Sequence, residues 1–509
     1  MTLLETHRIK ISGYNPQTGP HLFDLNSDYT EGISITDQMR RGHNIVQEAL
    51  VAGIIGPDKP LLIIGAGVAG MMAAVTAAKA QVTTRVIEKE QRTFSVQFNC
   101  PSRWVCPTQY SWPNTGWDKG FYPLDQHTKP FVWHRALADV ATKILREELQ
   151  EFLDKNDQLK VILKTEFKGY RLAKDHTGLL RVIPVLDVTP KDPQFPPAFA
   201  MALACTGFGE ENTVVQKTAA DAPYTGQIFW QVDKYEDDNP PLGIDSGTPN
   251  VLISGSGDGA LQDFLRIATT IDAAKVLGKP TIRRAGSAAA LYSIVFKNLP
   301  AIERRIRNRV KIIEQRYRTE SSSASSRHSD MEIRTLIGCC VNGEAQLEHL
   351  TLIKELCKNA RVWRQVVYAL DQVVRDLRHE ITIKVLYPCF HISPFYGLNR
   401  FMTLLLVTYA YQRYPDVQLL YPGTVVKEIV GSGTHAPPDR CEDAYYCHGK
   451  AHRVFCASAD CFAVRSGSTS RERELGSGPY NAVIVRHGIL RDRRNKVLSE
   501  NRLIRNTTT

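Results

Sequence analysis

The sequence predicts an α/β fold of two parallel sheets with a helical insertion, and three observations lead to it. Residues 61–90, LLIIGAGVAGMMAAVTAAKAQVTTRVIEKE, read as strand, glycine turn, helix and second strand. Residues 250–268, NVLISGSGDGALQDFLRIA, repeat the strand, turn and helix. Between about residues 287 and 379 the apolar residues recur mostly at helical spacing, with Trp363, Val366, Val367, Leu370, Val373, Val374 and Leu377 forming one stripe. Each turn has the spacing of a Rossmann-like unit, so the fold class is two Rossmann-like dinucleotide-binding domains with a helical insertion.

The first turn is justified residue by residue. Leu61, Leu62, Ile63 and Ile64 form the continuous apolar run of a strand buried on both faces. Gly65 permits the tight turn, Gly67 lets a diphosphate approach the backbone, and Gly70 lets the helix over 68–80 pack closely on the strand. The cofactor-binding candidates here are Gly65, Ala66, Gly67, Val68, Ala69 and Gly70, whose amides open a helix N-terminus. The strand over 84–87 ends in Glu88, where a carboxylate accepts hydrogen bonds from ribose hydroxyls, and Lys89 follows it as a further candidate. An acid at that position repels a 2′-phosphate, which favours FAD or NAD over NADP.

Downstream, FAMALACTGFG (199–209) is another apolar strand, ending in Cys205-Thr206-Gly207. With the turn, Glu88 and this strand together, the chain resembles the flavoproteins with two dinucleotide-binding domains, the broad group of thioredoxin reductases, glutathione reductases and flavin-dependent monooxygenases. In that group an Ala-Thr-Gly strand crosses near the FAD, and Ala204-Cys205-Thr206-Gly207 matches apart from the inserted cysteine. The resemblance implies FAD as the cofactor, with Thr206 and Gly207 beside it. It also implies a backbone contact to the adenine near Phe167, and a run from Glu88 toward the flavin ring in which Arg103, Trp104, Gln109, Tyr110 and Trp112 are wall candidates. For that run the alternative is a rigid aromatic loop packed on the core. The Arg-x-Gly-Gly of amine-oxidase-like flavoproteins is missing after Glu88, and Cys100 and Cys106 stand as C-x5-C where disulfide reductases of the glutathione type carry C-x4-C. Two unpaired thiols are therefore expected in preference to a flavin-linked dithiol.

Around these motifs the chain divides into an N-terminal extension (1–59), an FAD-binding domain with a β insertion (60–248), the start of a second NAD(P)-type domain (249–286), the helical insertion (287–380) and a return with a C-terminal tail (381–509). The extension holds a helix over 35–51 and is open to two uses, covering a sheet edge or making a homo-oligomer contact. Residues 133–153 read as an amphipathic helix, and 159–167 and 179–188 as strands separated by a polar turn through Asp175 and Gly178. A loop over 216–249, rich in Pro, Asp and Gly, reads as the crossing between domains.

In the second turn Gly255, Gly257, Asp258, Gly259 and Ala260 are the candidates, and G-S-G-D-G-A is similar to the NADPH turn of thioredoxin reductases. Its following strand is not evident. Arg283-Arg284 could hold a 2′-phosphate or lie on the surface, and the turn could serve NADPH or NADH or survive as a packing unit only. Residues 321–330, SSSASSRHSD, read as a polar break in the helical insertion. Residues 381–411 read as strand, loop and buried helix, with His391, Tyr396, Asn399 and Arg400 as their polar groups, and His391 as a low-grade catalytic candidate. Cys441, Cys447, His448, His452, Cys456 and Cys461 lack the spacing of a zinc knuckle and read better as a β-hairpin turning at Gly449-Lys450, so no metal is expected. Residues 480–488 form an apolar strand ending in Arg486-His487-Gly488, similar to the strand closing the second domain of flavin monooxygenases, with Arg-His where Ala-Thr is usual.

A chain of 509 residues with 43% hydrophobic and 23% charged residues has an ample core of ordinary globular composition. The start, MTLLETHRIK, lacks the apolar stretch of a secretory signal, and no apolar run is long enough to span a membrane. Eleven cysteines at irregular spacings do not form a disulfide framework, so a cytoplasmic, reduced protein is expected. The net charge of +10 is spread along the chain, and the one dense basic tract, 304–318, reads as a solvated helix face, so no nucleic-acid partner is expected. The function expected is an FAD-dependent oxidoreductase passing hydride from NAD(P)H through flavin to a small substrate or oxygen. The alternatives are an oxidase without NAD(P)H and an FAD- or NAD-binding sensor without turnover. Apart from His391, no residue stands out as catalytic.

Overall fold

The computed structural model describes residues 3–9, 19–25, 34–98, 100–101, 103–119, 121–122, 131–207, 211, 213–215, 224–226, 228–230, 250–255, 257–269, 288–326, 331–387, 396–422, 424–431, 452–458, 473–474, 482–485 and 498. The chain forms two compact units. Unit 1 comprises residues 1–108, 120–210 and 490–509, and unit 2 comprises 109–119 and 211–489.

Unit 1 contains, in order, β1 (His21–Asp24), α1 (Ile35–Val51), β2 (Leu61–Ile64), α2 (Val68–Lys79), β3 (Thr84–Ile87), α3 (Ala138–Leu153), β4 (Leu159–Ile162), β5 (Phe167–Lys174), β6 (Leu180–Leu186) and β7 (Met201–Ala204). Five strands form one sheet in the order β1-β7-β2-β3-β4, and every pairing is parallel. All four residues of β2, β3 and β7 are buried, which is why their sequences run apolar without alternation. The exceptions are in β3: Thr84, whose hydroxyl donates to Val82 O at 2.9 Å, and Arg85, which is 1% exposed and donates to Asp192 Oδ2 at 2.7 Å and to the carbonyls of Thr84, Gln158 and Gln194. Those partners satisfy the buried guanidinium and tie the segment before β7 to the sheet.

The expected single strand over 159–167 is two elements. β4 lies in the parallel sheet, Lys164 turns the chain at φ 52°, and β5 pairs antiparallel with β6 as a separate hairpin. The hairpin turn is set by Asp175, whose Oδ1 accepts from the backbone N–H of Thr177 and Leu179 and whose Oδ2 accepts from Arg181. From the N-terminal extension, β1 adds to the sheet beside β7, and α1 packs on α2. At that crossing a Cβ on Gly42 would lie 2.2 Å from the carbonyl oxygen of Ala69, so only glycine lets the two helices approach this closely.

Unit 2 contains β8 (Asn250–Ser254), α4 (Asp258–Ala268), α5 (Ala288–Phe296), α6 (Pro300–Ser326), α7 (Met331–Lys358), α8 (Ala360–Asp371), β9 (Thr382–Tyr387), α9 (Gly397–Arg413), β10 (Leu420–Pro422) and β11 (Ala482–Val485). Its sheet runs β10-β9-β8-β11, again parallel throughout. The strand that follows the second glycine turn is therefore β9, reached only after the whole helical insertion. Counted from its glycine-turn strand and leaving aside β1, which adds outside β7, each sheet has the order third, second, first, fourth, and each reverses direction of strand addition beside that turn.

The helical insertion and the sheet share one core, in which Tyr292, Phe296 and Phe401 pack edge or tilted against one another. Residues 109–119 join this core. Trp112 packs on Tyr292 and Phe401, Trp117 on Tyr292, and Tyr110 stacks on Tyr396 with centroids 4.1 Å apart. For Trp112 the aromatic-packing alternative describes what is found. One further expectation is corrected. Helix α6 continues through Ser326, so the serine tract up to that residue is helical rather than a break, and 327–330 lie outside the described residues. Strand His452–Ser458 pairs antiparallel with Thr424–Gly431, with a register shift between Val426 and Glu428, and the expected hairpin turn at Gly449-Lys450 lies outside the described residues. On the basic tract of α6, Arg305 and Arg309 face Glu355, Arg316 faces Glu348 and Arg307 faces Glu303, the pairing of a solvated helix face.

Candidate functional site

The first turn lies at the reversal between β2 and β7. Gly65 has φ +105°, and a Cβ there would lie 2.4 Å from the carbonyl oxygen of Cys205. A Cβ on Gly70 would lie 2.0 Å from the carbonyl oxygen of Gly65 and 3.2 Å from the Cys205 Cβ. Both glycines are thus required by packing of the turn against the end of β7. Gly67 differs, since it caps α2 with no side chain and nothing stands within 4 Å of the place its Cβ would take. Open space over the N-terminal amides of a helix suits a diphosphate. Ala66 is buried, and Val68 and Ala69 complete the first turn of α2 half-exposed.

Glu88 closes β3 and is 8% exposed. Its Oε2 accepts from the Ala66 backbone N–H at 2.6 Å and its Oε1 from that of Glu90 at 2.9 Å, so the carboxylate is fixed beside the glycine turn. Thr206 is half-buried at the end of β7, and Gly207 follows at φ +76° with open space around its Cβ position. Cys205, the residue inserted relative to Ala-Thr-Gly, is buried against the turn, and burial pushes its thiol far up. It is a packing residue, not a nucleophile. An acid at a strand end, open helix amides and an open Gly207 beside them are the features FAD needs, so the residues fit that cofactor.

The remaining first-domain candidates are placed less centrally. Lys89 is exposed, 3.9 Å from Glu90. Arg103 is buried, and its carbonyl accepts from Ala138 at 2.8 Å. Phe167 opens β5 with its side chain in a core cluster containing Leu62, Ile64 and Tyr170. Cys100 and Cys106 are buried and form no disulfide.

The second turn repeats the design. Gly255 has φ +137° and donates to Leu386 O at 2.7 Å, Gly257 caps α4 with open space at its Cβ position, and Ala260 is fully buried. Asp258 and Gly259 are half-exposed. Asp258 Oδ1 accepts from Asn399 Nδ2 at 2.9 Å, a contact from the first turn of α9 that sequence reading did not find, although an Asn in so apolar a helix is its visible signal. Asn399 is 2% exposed. Arg283, Arg284, His391, Cys441, Cys447, His448, Cys461, Arg486 and His487 lie outside the described residues.

Two parallel α/β units, each with a glycine turn at its strand-order reversal, define a protein of the two-dinucleotide-domain class. Within the first unit, residues 61–99 match the family described as FAD binding domain, and FAD is the cofactor that match supports for the turn. No curated protein matches the chain. The chain is similar to the bacillithiol disulfide reductase Bdr of Staphylococcus aureus at 12% identity, over 84% of this chain and 76% of that one, with a TM-score of 0.35. It is similar to Lactococcus lactis thioredoxin reductase at 10% identity, over 85% and 78% of the two chains, with a TM-score of 0.29. OTEMO in complex with FAD and NADP is 17% identical over 42% of this chain and 37% of that one, with a TM-score of 0.26. Among the described residues no helix is long and apolar enough to cross a membrane.

Proposed function

We propose that the chain is an FAD-dependent oxidoreductase that takes reducing equivalents from NADPH or NADH at its second glycine turn and delivers them to a small molecule or to oxygen. The observation carrying this reading is the duplication of the site. Two sheets of the same strand order each place a sterically open glycine, Gly67 or Gly257, at a helix N-terminus beside the reversal point. Bound FAD supplies the redox chemistry, exchanging a hydride with a nicotinamide and electrons with the final acceptor. The chain's own residues supply binding and orientation. The amides of Gly67, Val68 and Ala69 would face the diphosphate, Glu88, held by the Ala66 amide, would accept from the ribose, and Thr206 and Gly207 would line the site from the end of β7. At the second turn the amides following Gly257 take the nicotinamide nucleotide's diphosphate.

Purified protein is expected to show the absorption bands of an oxidised flavin. Anaerobic addition of NADPH or NADH is expected to bleach them. A yellow protein bleached by neither nucleotide would remove the NAD(P)H step and leave an oxidase acting directly on its substrate.

A further inference from the structure

We infer that Asn399 is a positioning residue of the second nucleotide turn, holding the Asp258 carboxylate toward α9 and so keeping the N-terminus of α4 available to a dinucleotide diphosphate. The inference rests on the reading of that turn as a nucleotide site.

Asp258 is the first residue of α4, and its negative charge stands where a diphosphate is to be bound. Unrestrained, such a carboxylate is attracted by the helix N-terminus and competes with an incoming anion for it. The 2.9 Å bond from Asn399 Nδ2 fixes it on the side of α9. Asn399 is itself unable to follow a displaced carboxylate, because the start of α9 is buried and anchored. Neighbouring Arg400 is 1% exposed and lies 3.7 Å from Glu314 Oε1, which also faces His349 Nε2 at 3.3 Å. Gly397 permits this anchor, since a Cβ there would lie 2.7 Å from Glu314 Oε1. The helical insertion, through α6 and α7, thereby sets the geometry of the turn in β8–α4.

The test uses the full-length, FAD-loaded protein and calorimetric titration with NADP+ and NAD+. Asn399→Leu removes the donor and Asn399→Asp sets a second carboxylate against Asp258. Both are expected to raise the Kd of the preferred nucleotide about tenfold or more, as for loss of a hydrogen bond to a charged group. The flavin spectrum and the limiting rate of anaerobic bleaching are expected to stay at wild-type values, a split that general loss of structure would not produce. The exchanged pair Asn399→Asp with Asp258→Asn reinstates the bond with donor and acceptor reversed, and is expected to recover most of the affinity. Wild-type affinity in both single variants, or no recovery in the exchanged pair, overturns the positioning role while leaving the nucleotide reading intact. Wild-type protein that binds neither nucleotide and is not bleached overturns both.

Discussion

Gly67 and Gly70 are three residues apart in one turn and are required for different reasons. Gly70 is enclosed by the backbone of Gly65, whereas Gly67 faces open space. Gly70→Ala is expected to strain the protein itself, costing about 1–3 kcal/mol of stability as overpacking does, and to lower FAD content with it. Gly67→Ala is expected to leave the thermal midpoint of the FAD-free protein within the range of a surface substitution, about 0.5 kcal/mol, while still reducing FAD retention. Comparing melting of the stripped proteins with their flavin-to-protein absorbance ratios separates the two. His21, at the start of β1, gives a pH signature. Burial first, then the charges of Arg8, Arg181 and Lys59, lower its pKa from 6.5 to about 4. Between those values the unfolded chain holds the proton and the folded chain does not, so stability is greatest above pH 6.5 and falls as the pH drops toward 4. In a His21→Gln variant the decline of the melting midpoint between pH 7 and about 4.5 is expected to be shallower. An unchanged slope would assign the acid sensitivity to other groups.

Among the elements, α1 and α2 meet at Gly42 with a closeness that side chains forbid, so the helix whose N-terminus opens the cofactor site is seated from behind by a segment outside the fingerprint. Gly42→Val is expected to push α2 out of place through Ala69 and lower FAD affinity from the side of the helix packed on α1, measurable as faster flavin release on dilution. How much could be read from sequence follows the range of the forces involved. Strand β2, the turn and β3 were legible because neighbours in sequence make the site. Strand β9 was legible as a strand, but its place beside β8 was not, because that pairing spans the whole helical insertion and leaves no mark in local periodicity. The break at Lys164 was missed because LKVILKTEF mixes apolar and polar residues as a single half-buried strand would, while the hydrogen bonds of its two ends go to different sheets. Serines 321–323 looked like a breaker by composition, yet serine is only mildly unfavourable in a helix already propagated from α6.

At the scale of the whole chain, unit 1 is assembled from three separated stretches, the last being residues 490–509. Leu498 is 1% exposed and packs in the cluster of Leu22, Tyr170, Val182 and Phe199, and its carbonyl accepts from the Tyr170 hydroxyl at 3.5 Å. That cluster draws on β1, β2, β3, β5, β6 and β7 and so supports the strands that carry the first turn and Thr206. The chain must complete unit 2 before the residue that fills this part of unit 1 is reached. Leu498→Ala removes a buried side chain and is expected to cost about 2–5 kcal/mol, the range for such truncations. The loss is expected in the melting transition that releases flavin fluorescence, with the transition of unit 2 unmoved. A flavin-release midpoint unchanged by the substitution would mean that the C-terminal stretch contributes nothing to the FAD-binding unit, and equal shifts in both transitions would mean that the two units unfold as one.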